Sequence, residues 1–387
     1  MTSRRLQITL QPEVLRWARE RAGFERSELA HKLKVSPERV SEWECNGKIS
    51  VAQADRLAQR THTALGFLYL TEPPEERLPI PDFRIRDDAP PPSPDLLETI
   101  YLMQRRQAWM RDELIEGGAE PLDFIGAYGT DVHPRQVGAA MRDALQLTEN
   151  WAEEIGNWSD ALRHLKHLVD AAGVLVSFSG VVGNNVHRKL DPDEFQGFAL
   201  VDEYAPLIFV NSADFMAAQM FTLAHELAHL FIAQSGISSL EDLQPPSDEI
   251  EQFCNKAAAE FLIPEEELRA FWPSARRTND PYQTIARKFK VSSLVAARRA
   301  LDLDLIDKDE FLLFYNRRVD RWRRDQQRQE SGGHFWNTQK WRIGPRFASA
   351  IVRAVGEGRL PYREAYNLTG LKGEAFGNMP KKMEIPQ

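Results

Sequence analysis

The stretch from Phe221 to Ile232, FTLAHELAHLFI, limits what this chain can fold into more than any other. It is an apolar run interrupted by three ionisable residues, His225, Glu226 and His229. If the run is a helix, the two histidines stand one turn apart on one face, and Glu226 points about 100° away from the first. The uncharged flanks predict a buried helix, and burying three ionisable groups without a partner would cost several kcal/mol. A bound metal ion removes that cost.

The spacing of these three side chains is the HExxH pattern of zinc sites. His225 and His229 can supply two neutral nitrogens to one Zn²⁺, whereas Glu226 lies too far round the helix to be a comfortable third ligand. Glu226 is instead placed to take a proton from a water molecule that the metal activates. The pattern therefore predicts a zinc hydrolase site, provided that a third ligand follows in the chain.

Two glutamates compete for the place of the third ligand on the next predicted helix, Asp248 to Ile263, which Pro264 ends. Glu251 and Glu260 are separated by about 900° of helical rotation, so they point to opposite faces. Glu251 is favoured because Asn255, one turn further on, shares its face and could orient a histidine by a hydrogen bond. The alternative interpretation of Glu251 is an exposed acid that the helix dipole favours in a first turn.

The two cysteines, Cys45 and Cys254, lie far apart in different predicted domains. Nothing in their placement suggests a disulfide framework, so a reducing cytosol is expected. Cys254 is close enough to the predicted site to be a conceivable thiol ligand. As the neighbour of Asn255 it should, however, be rotated about 100° away from the metal.

Charge is distributed unevenly along a chain whose net charge is −8. Residues 1–70 hold twelve Lys and Arg against eight Asp and Glu, so the rest of the chain is strongly acidic. A basic N-terminal module on an acidic body is typical of a DNA-binding domain attached to another activity. No apolar run approaches the roughly 20 residues of a membrane span, so we expect a soluble, cytoplasmic protein with no membrane partner.

The basic N-terminal residues predict a compact run of short helices. The fragments WARERAG, SELAHKLKV, SPERVSEWE and NGK resemble the helix-turn-helix of the XRE/Cro-like repressors. The resemblance implies that a helix from about Pro37 to Glu44 lies in the major groove of a DNA operator. The implied DNA-facing residues are Ser36, Glu38, Arg39, Ser41 and Glu42. Two of them are acidic, so the alternative is a helical bundle that only docks a partner or forms a homodimer.

Strand-like runs precede the HExxH run, at Gly173 to Gly180, Glu194 to Tyr204 and Ala205 to Asn211. Zinc peptidases generally keep a sheet beside the HExxH helix and bind an extended substrate along its edge strand. The segment GFALVD is the candidate edge strand. Three residues are candidates for an oxyanion donor, and the sequence does not choose among Tyr204, Asn211 and His187.

A longer resemblance covers about Gly173 to Pro264. VNSADFMAAQMFTLAHELAHLFI, followed by EQFCNKAAAEFLIP, is similar to the ImmA/IrrE family of zinc metallopeptidases. The resemblance implies His225, His229 and Glu251 as the metal ligands and Glu226 as the catalytic base. Glu251 and Asn255 together resemble the acidic pair of the thermolysin-like gluzincins.

The resulting expectation is a multi-domain, mainly α protein with an α+β peptidase core. We expect a helix-turn-helix bundle at residues 1–70, a Pro-rich linker and connecting helices at 71–150, a gluzincin-like peptidase with a small mixed sheet at 151–300, and a helical module at 301–387. The segment from Ile285 to Leu301 has the spacing of another helix-turn-helix-like pair of helices. It is interpreted first as scaffold that packs under the peptidase and second as a further DNA contact.

The family resemblance also implies a function. The chain is expected to be a zinc-dependent intracellular endopeptidase that cleaves a helix-turn-helix repressor and so controls stress or mobile-element genes. The alternative belongs to a different class. In it, the chain is a DNA-binding regulator or an antitoxin-like partner of a toxin, with a structural or sensory zinc and no turnover.

Overall fold

The structure is a computed structural model that describes residues 6–76, 78–81, 92–214, 216–238, 248–326 and 335–385. It divides into two compact units, one within residues 1–79 and 88–100 and the other within residues 80–87 and 101–387. Both are rich in helix, and sheets are small wherever the chain is described. This confirms the expectation of a mainly helical protein. In the described part of the chain, no helix is both long and apolar enough to cross a membrane.

The first unit is a bundle of short helices around an apolar centre that includes Leu15, Leu29 and Trp43. Its helices are α1 (Pro12–Arg21), α2 (Arg26–Leu33), α3 (Pro37–Asn46), α4 (Val51–Arg60) and a 3₁₀ helix (Leu65–Tyr69). Proline occupies the first position of α1 and of α3, where its missing N–H costs nothing. A capping box between Ser50 and Gln53 begins α4.

A two-stranded ladder, which the sequence did not predict, closes the first unit. β1 (Gln7–Thr9) pairs antiparallel with β2 (Lys48–Ser50). Gly47 joins α3 to β2 with a φ of +70°, and a Cβ built there would lie 1.9 Å from the carbonyl oxygen of Leu10. Only glycine therefore fits this junction.

The second unit holds the remaining helices. They are α5 (Pro94–Glu116, which begins in the first unit), α6 (Pro134–Ala144), α7 (Trp158–Ala171), α8 (Met216–Phe231), α9 (Glu249–Leu262), α10 (Glu265–Ala275), α11 (Pro281–Phe289), α12 (Ser293–Asp302), α13 (Lys308–Gln326), α14 (Phe335–Ile343), α15 (Pro345–Gly356), α16 (Tyr362–Thr369) and α17 (Gly373–Met383). The apolar core that α6 to α13 share includes Leu223, Phe231 and Phe261, none more than 1% exposed. α8 packs against the sheet and against α9, so the HExxH run lies at the centre of this unit.

Four strands form the sheet in the second unit. They are β3 (Leu175–Ser179), β4 (Gly197–Leu200), β5 (Leu207–Asn211) and β6 (Gly236–Ser238), in the order β3, β5, β4, β6. β3 pairs parallel with β5, whereas β4 pairs antiparallel with both β5 and β6. Every residue of β3, β4 and β5 is buried, which explains why these strands are mainly apolar.

The expectation that GFALVD forms the edge strand is wrong. β4 is flanked on both sides, because the chain returns after α8 as β6 and pairs with it through Phe198 and Ile237. The other side of β6 receives the linker, since the Ile237 N–H donates to the Pro81 carbonyl at 3.1 Å. The middle of that predicted linker, residues 82–91, lies outside the described residues.

The C-terminal helices pack on the far side of β3. Trp341 of α14 meets Phe178 edge-on at 5.0 Å, and the Ser177 hydroxyl donates to the Arg342 carbonyl at 2.7 Å. The guanidinium of Arg106, on α5, donates to the carbonyls of Leu368 and Arg342 at 2.8 and 2.7 Å. The tail of the chain is thereby built into the second unit.

Candidate metal centre

The HExxH residues lie on α8, inside the protein. His225, Glu226 and His229 are all 0% exposed. The two imidazole rings are one helical turn apart, with centroids 4.8 Å from each other and planes at 66°. Their neighbours on the helix, Leu223 and Leu227, are buried as well, so apolar packing fixes the backbone that carries the histidines.

The third side chain comes from α9. Glu251 is 1% exposed and lies opposite the histidines, with its carboxylate oxygens 3.1 Å from His225 Nε2 and 3.0 Å from His229 Nε2. Asp248 caps this helix, and its Oδ1 accepts from the backbone N–H groups of Ile250 and Glu251. The cap fixes the first turn of α9 and hence the position of Glu251.

The donor atoms of His225, His229 and Glu251 could hold one metal ion, because they all lie within 4.8 Å of one another. The two Nε2 atoms are 3.0 Å apart. A tetrahedral zinc ion with bonds of about 2.0–2.1 Å needs ligand atoms separated by about 3.3 Å, so the observed separations require only small outward shifts. Two imidazoles and a carboxylate are also a donor set that suits zinc. The residues present therefore fit the ion.

Asn255 supports the first histidine from one turn further along α9. Its Oδ1 lies 2.9 Å from Nδ1 of His225. When Nδ1–H donates to this amide oxygen, Nε2 carries the lone pair and points to the cluster. The predicted role of Asn255 in orienting a histidine therefore has the geometry it requires.

The charges of the cluster oppose the cost of burial. Burial alone would raise the pKa of Glu251, but the two histidines lower that pKa to about 2. Burial disfavours the charged form of His225, and the Glu251 carboxylate outweighs it and raises the pKa of that imidazole. Burial lowers the pKa of His229. Glu251 is thus an anion at neutral pH, the form that binds a cation.

Glu260, the competing candidate for the third ligand, points elsewhere. Its carboxylate pairs with the buried guanidinium of Arg299 on α12 and lies 3.6 Å from Arg135. The Arg299 Nε also donates to the Ile263 carbonyl at 3.0 Å. Glu260 therefore links α9 to α12 by an ion pair. This contact agrees with the interpretation of the second helix-turn-helix-like pair as scaffold.

Cys254 is buried but does not belong to the three-residue cluster. Burial, with the nearby charge of Glu251 as a second cause, raises the pKa of its thiol well above the ordinary value.

The three oxyanion candidates have different surroundings. Asn211 is fully buried, and its amide donates to the Phe195 carbonyl at 3.0 Å and accepts from the Ala213 N–H at 3.1 Å. The Tyr204 ring lies 5.8 Å from the Arg111 guanidinium. His187 is exposed. None of the three is therefore singled out by its contacts.

The predicted DNA-facing residues lie at the start and on one side of α3. Ser36 caps the helix and accepts from the Arg39 N–H at 3.4 Å. Arg39 pairs with Glu42 at 2.6 Å, and Ser36, Glu38 and Glu42 are exposed whereas Arg39 and Ser41 are half-buried. All five are thus at least partly accessible in the first unit.

Sequence reasoning missed Asp248 and Gly197. The Asp248 cap could have been read from an acidic residue just before a predicted helix. Gly197 begins β4, and a Cβ built on it would lie 2.9 Å from Oε1 of Glu226. No pattern in the sequence signals that contact, because the two residues belong to different elements.

Comparison with known families supports the resemblance for part of the chain. Residues 169–301 match the model of the IrrE N-terminal-like domain of the peptidase family M78. This stretch contains β3 to β5, α8, α9 and the whole cluster, and it suggests a metallopeptidase. Residues 343–381 match a domain of unknown function, DUF8813. No curated protein matches the chain.

Proposed function

We infer that this protein is a zinc-dependent endopeptidase coupled to a DNA-binding domain. One observation carries the inference: three buried donor atoms, from His225, His229 and Glu251, converge with Glu226 next to the first histidine on the same helix. Packing does not explain a buried cluster of this composition, because apolar side chains at these positions would be buried at a lower cost in free energy. The match to the IrrE N-terminal-like domain agrees with it.

The residues divide the work of peptide hydrolysis. His225, His229 and Glu251 would hold the zinc ion, which when bound supplies the Lewis acidity that activates water and polarises the peptide carbonyl. The carboxylate of Glu226 accepts the proton from the attacking water and delivers it to the leaving amine nitrogen. Asn255 keeps the imidazole of His225 turned to the cluster.

The proposed substrate is a helix-turn-helix repressor, either a separate protein or the N-terminal part of this chain. The test incubates the purified, zinc-loaded full-length protein with itself and with any repressor encoded by a neighbouring gene. A new fragment that disappears with a chelator supports the peptidase. Operator or toxin binding without any fragment favours the regulator or antitoxin alternative instead.

The proposed DNA-binding part is the first unit, with α3 as the element that enters the major groove. Support comes from the excess of Lys and Arg in residues 1–70 and from the accessibility of Ser36, Glu38 and Arg39. Fluorescence anisotropy with DNA from the gene's own promoter tests it. Arg39→Ala should weaken binding, and if Arg39 meets a phosphate, the slope of log K against log salt should fall by about 0.9.

A further inference from the structure

Gly197 lies where β4 passes beneath α8. Its backbone φ is outside the left-handed region, so the strand conformation itself does not demand glycine. Glycine in a strand interior weakens the strand and often marks a close approach of another group. The reason for glycine at this position must therefore be space.

The space next to the Cα of Gly197 is occupied by one turn of α8 and by the backbone of β5. A Cβ at position 197 would lie 2.7 Å from Cγ2 of Thr222, 2.9 Å from Oε1 of Glu226 and 3.0 Å from the carbonyl oxygen of Phe209. The Phe209 oxygen belongs to the backbone of β5 and cannot move aside. A side chain at 197 would have to push Thr222 and Glu226 away from the sheet.

We propose that Gly197 is a positioning residue for Glu226. The missing side chain lets the Glu226 carboxylate lie directly against β4, and this contact sets where the carboxylate stands relative to the three donor atoms. The inference rests on the proposed peptidase function and concerns the same site. Misplacing a reacting group by about 1 Å can lower the rate about 100-fold. A small displacement of the Glu226 carboxylate is therefore enough to change kcat measurably.

The test is Gly197→Ala in the full-length, zinc-loaded protein, with cleavage kinetics and zinc affinity measured side by side. We expect kcat to fall about 10- to 100-fold with KM nearly unchanged. Zinc affinity, measured by competition with a chelating dye, should stay within about 3-fold of wild type, because no ligand is altered. Equal losses of kcat and of zinc affinity would overturn the proposal, as would an unchanged kcat.

A second substitution separates the contact with Thr222 from the contact with Glu226. Thr222→Ser removes the Cγ2 methyl, the nearest obstacle to a new Cβ, and keeps the hydroxyl that donates to the Ala218 carbonyl at 3.2 Å. Added to Gly197→Ala, it should restore part of the melting temperature but leave kcat low, because the Cβ at position 197 still lies 2.9 Å from Oε1 of Glu226. A double variant that regains the wild-type kcat would show that Thr222, and not the direct contact with Glu226, carries the effect, and would overturn the proposal.

Gly138→Ala is the matched control. Gly138 on α6 is equally crowded, since a Cβ there would lie 2.8 Å from the Ala257 carbonyl oxygen and from Cβ of Glu260, but it does not touch Glu226. We expect Gly138→Ala to lower the melting temperature and to keep kcat near wild type when assayed well below that temperature. If Gly138→Ala also lost kcat selectively, adding a Cβ at any crowded glycine would lower kcat. The positioning role of Gly197 would then be contradicted.

The failure of the proposal differs from the failure of the proposed function. A wild-type protein without chelator-sensitive cleavage overturns the peptidase. The close packing at Gly197 can then be tested by melting temperature alone. A lower melting temperature in Gly197→Ala that Thr222→Ser partly restores supports the packing, and an unchanged melting temperature in Gly197→Ala refutes it.

Discussion

At the scale of single residues, the two kinds of carboxylate near the histidines have separable roles. Glu251 lies within 3.1 Å of both imidazole nitrogens, whereas Glu226 lies against β4. The expected roles are therefore ligand for Glu251 and proton acceptor for Glu226. This division can be tested by substituting Glu226 and one ligand in parallel.

Glu226→Gln should keep zinc and abolish cleavage, because the amide preserves the shape of the side chain but cannot accept the proton. His229→Ala should lose zinc, since it removes one of three protein ligands. Zinc content by atomic absorption and cleavage by gel electrophoresis check both expectations. Retained proteolysis in Glu226→Gln would sink the proposed mechanism.

A second prediction concerns a buried charge in the first unit. Burial raises the pKa of Glu44, but hydrogen bonds from Arg19 and Arg26 bring it below the ordinary value of 4.5. A lowered pKa in the folded state means that the stabilisation is complete above about pH 4.5 and is lost as the pH falls through the folded value.

The melting temperature of the first unit should therefore fall more steeply below pH 4.5 in the wild-type protein than in Glu44→Gln, which cannot titrate there. Glu44→Gln should be less stable at pH 7, because it removes the buried anionic partner of Arg19, which then keeps only the exposed Glu20. The exposed pair of Glu42 with Arg39 offers a comparison at pH 7, where Glu42→Gln should cost less stability than Glu44→Gln, because an exposed ion pair contributes little. Equal slopes for wild type and Glu44→Gln would contradict the assignment.

At the scale of elements, the cap of α9 links secondary structure to the metal centre. Asp248 accepts from two backbone N–H groups, one of them that of Glu251 itself. Asp248→Ala should cost about 1 kcal/mol of stability and should also weaken zinc binding, because the first turn of α9 loosens.

Asn157 offers the matched comparison, as the cap of α7 that accepts from the Asp160 N–H at 2.9 Å. Asn157→Ala should lose a similar amount of stability and keep the zinc affinity of the wild type. Urea unfolding and chelator competition measure the two quantities. If both variants lose zinc affinity alike, the effect belongs to global stability and not to the cap.

The elements also show what a single sequence can predict. α8 and α9 could be predicted because their constraints are local: the spacing of His225 and His229, and the four-residue step from Glu251 to Asn255. β6 could not, because three residues become a strand only by pairing with β4, far away in the chain. The wrong edge strand and the unforeseen Gly197 contact follow from the same limitation.

At the scale of the whole molecule, each unit has an apolar core of its own. One core gathers around Trp43, and the other around Phe231 and Phe261. The residues that would hold the ion all belong to the second unit. A ligand that binds only the folded state stabilises the unit that binds it, by RT ln(1 + [L]/Kd).

Calorimetry of the full-length protein should accordingly respond unit by unit. Removing zinc with a chelator should lower the unfolding temperature of the second unit, and the transition of the first unit, identified by its selective shift in Glu44→Gln, should stay in place. In His229→Ala the chelator should have no further effect, because the site is already lost. If chelation instead shifts the transition that Glu44→Gln identifies, the ion does not act through the cluster of His225, His229 and Glu251, and the metal assignment would have to be abandoned.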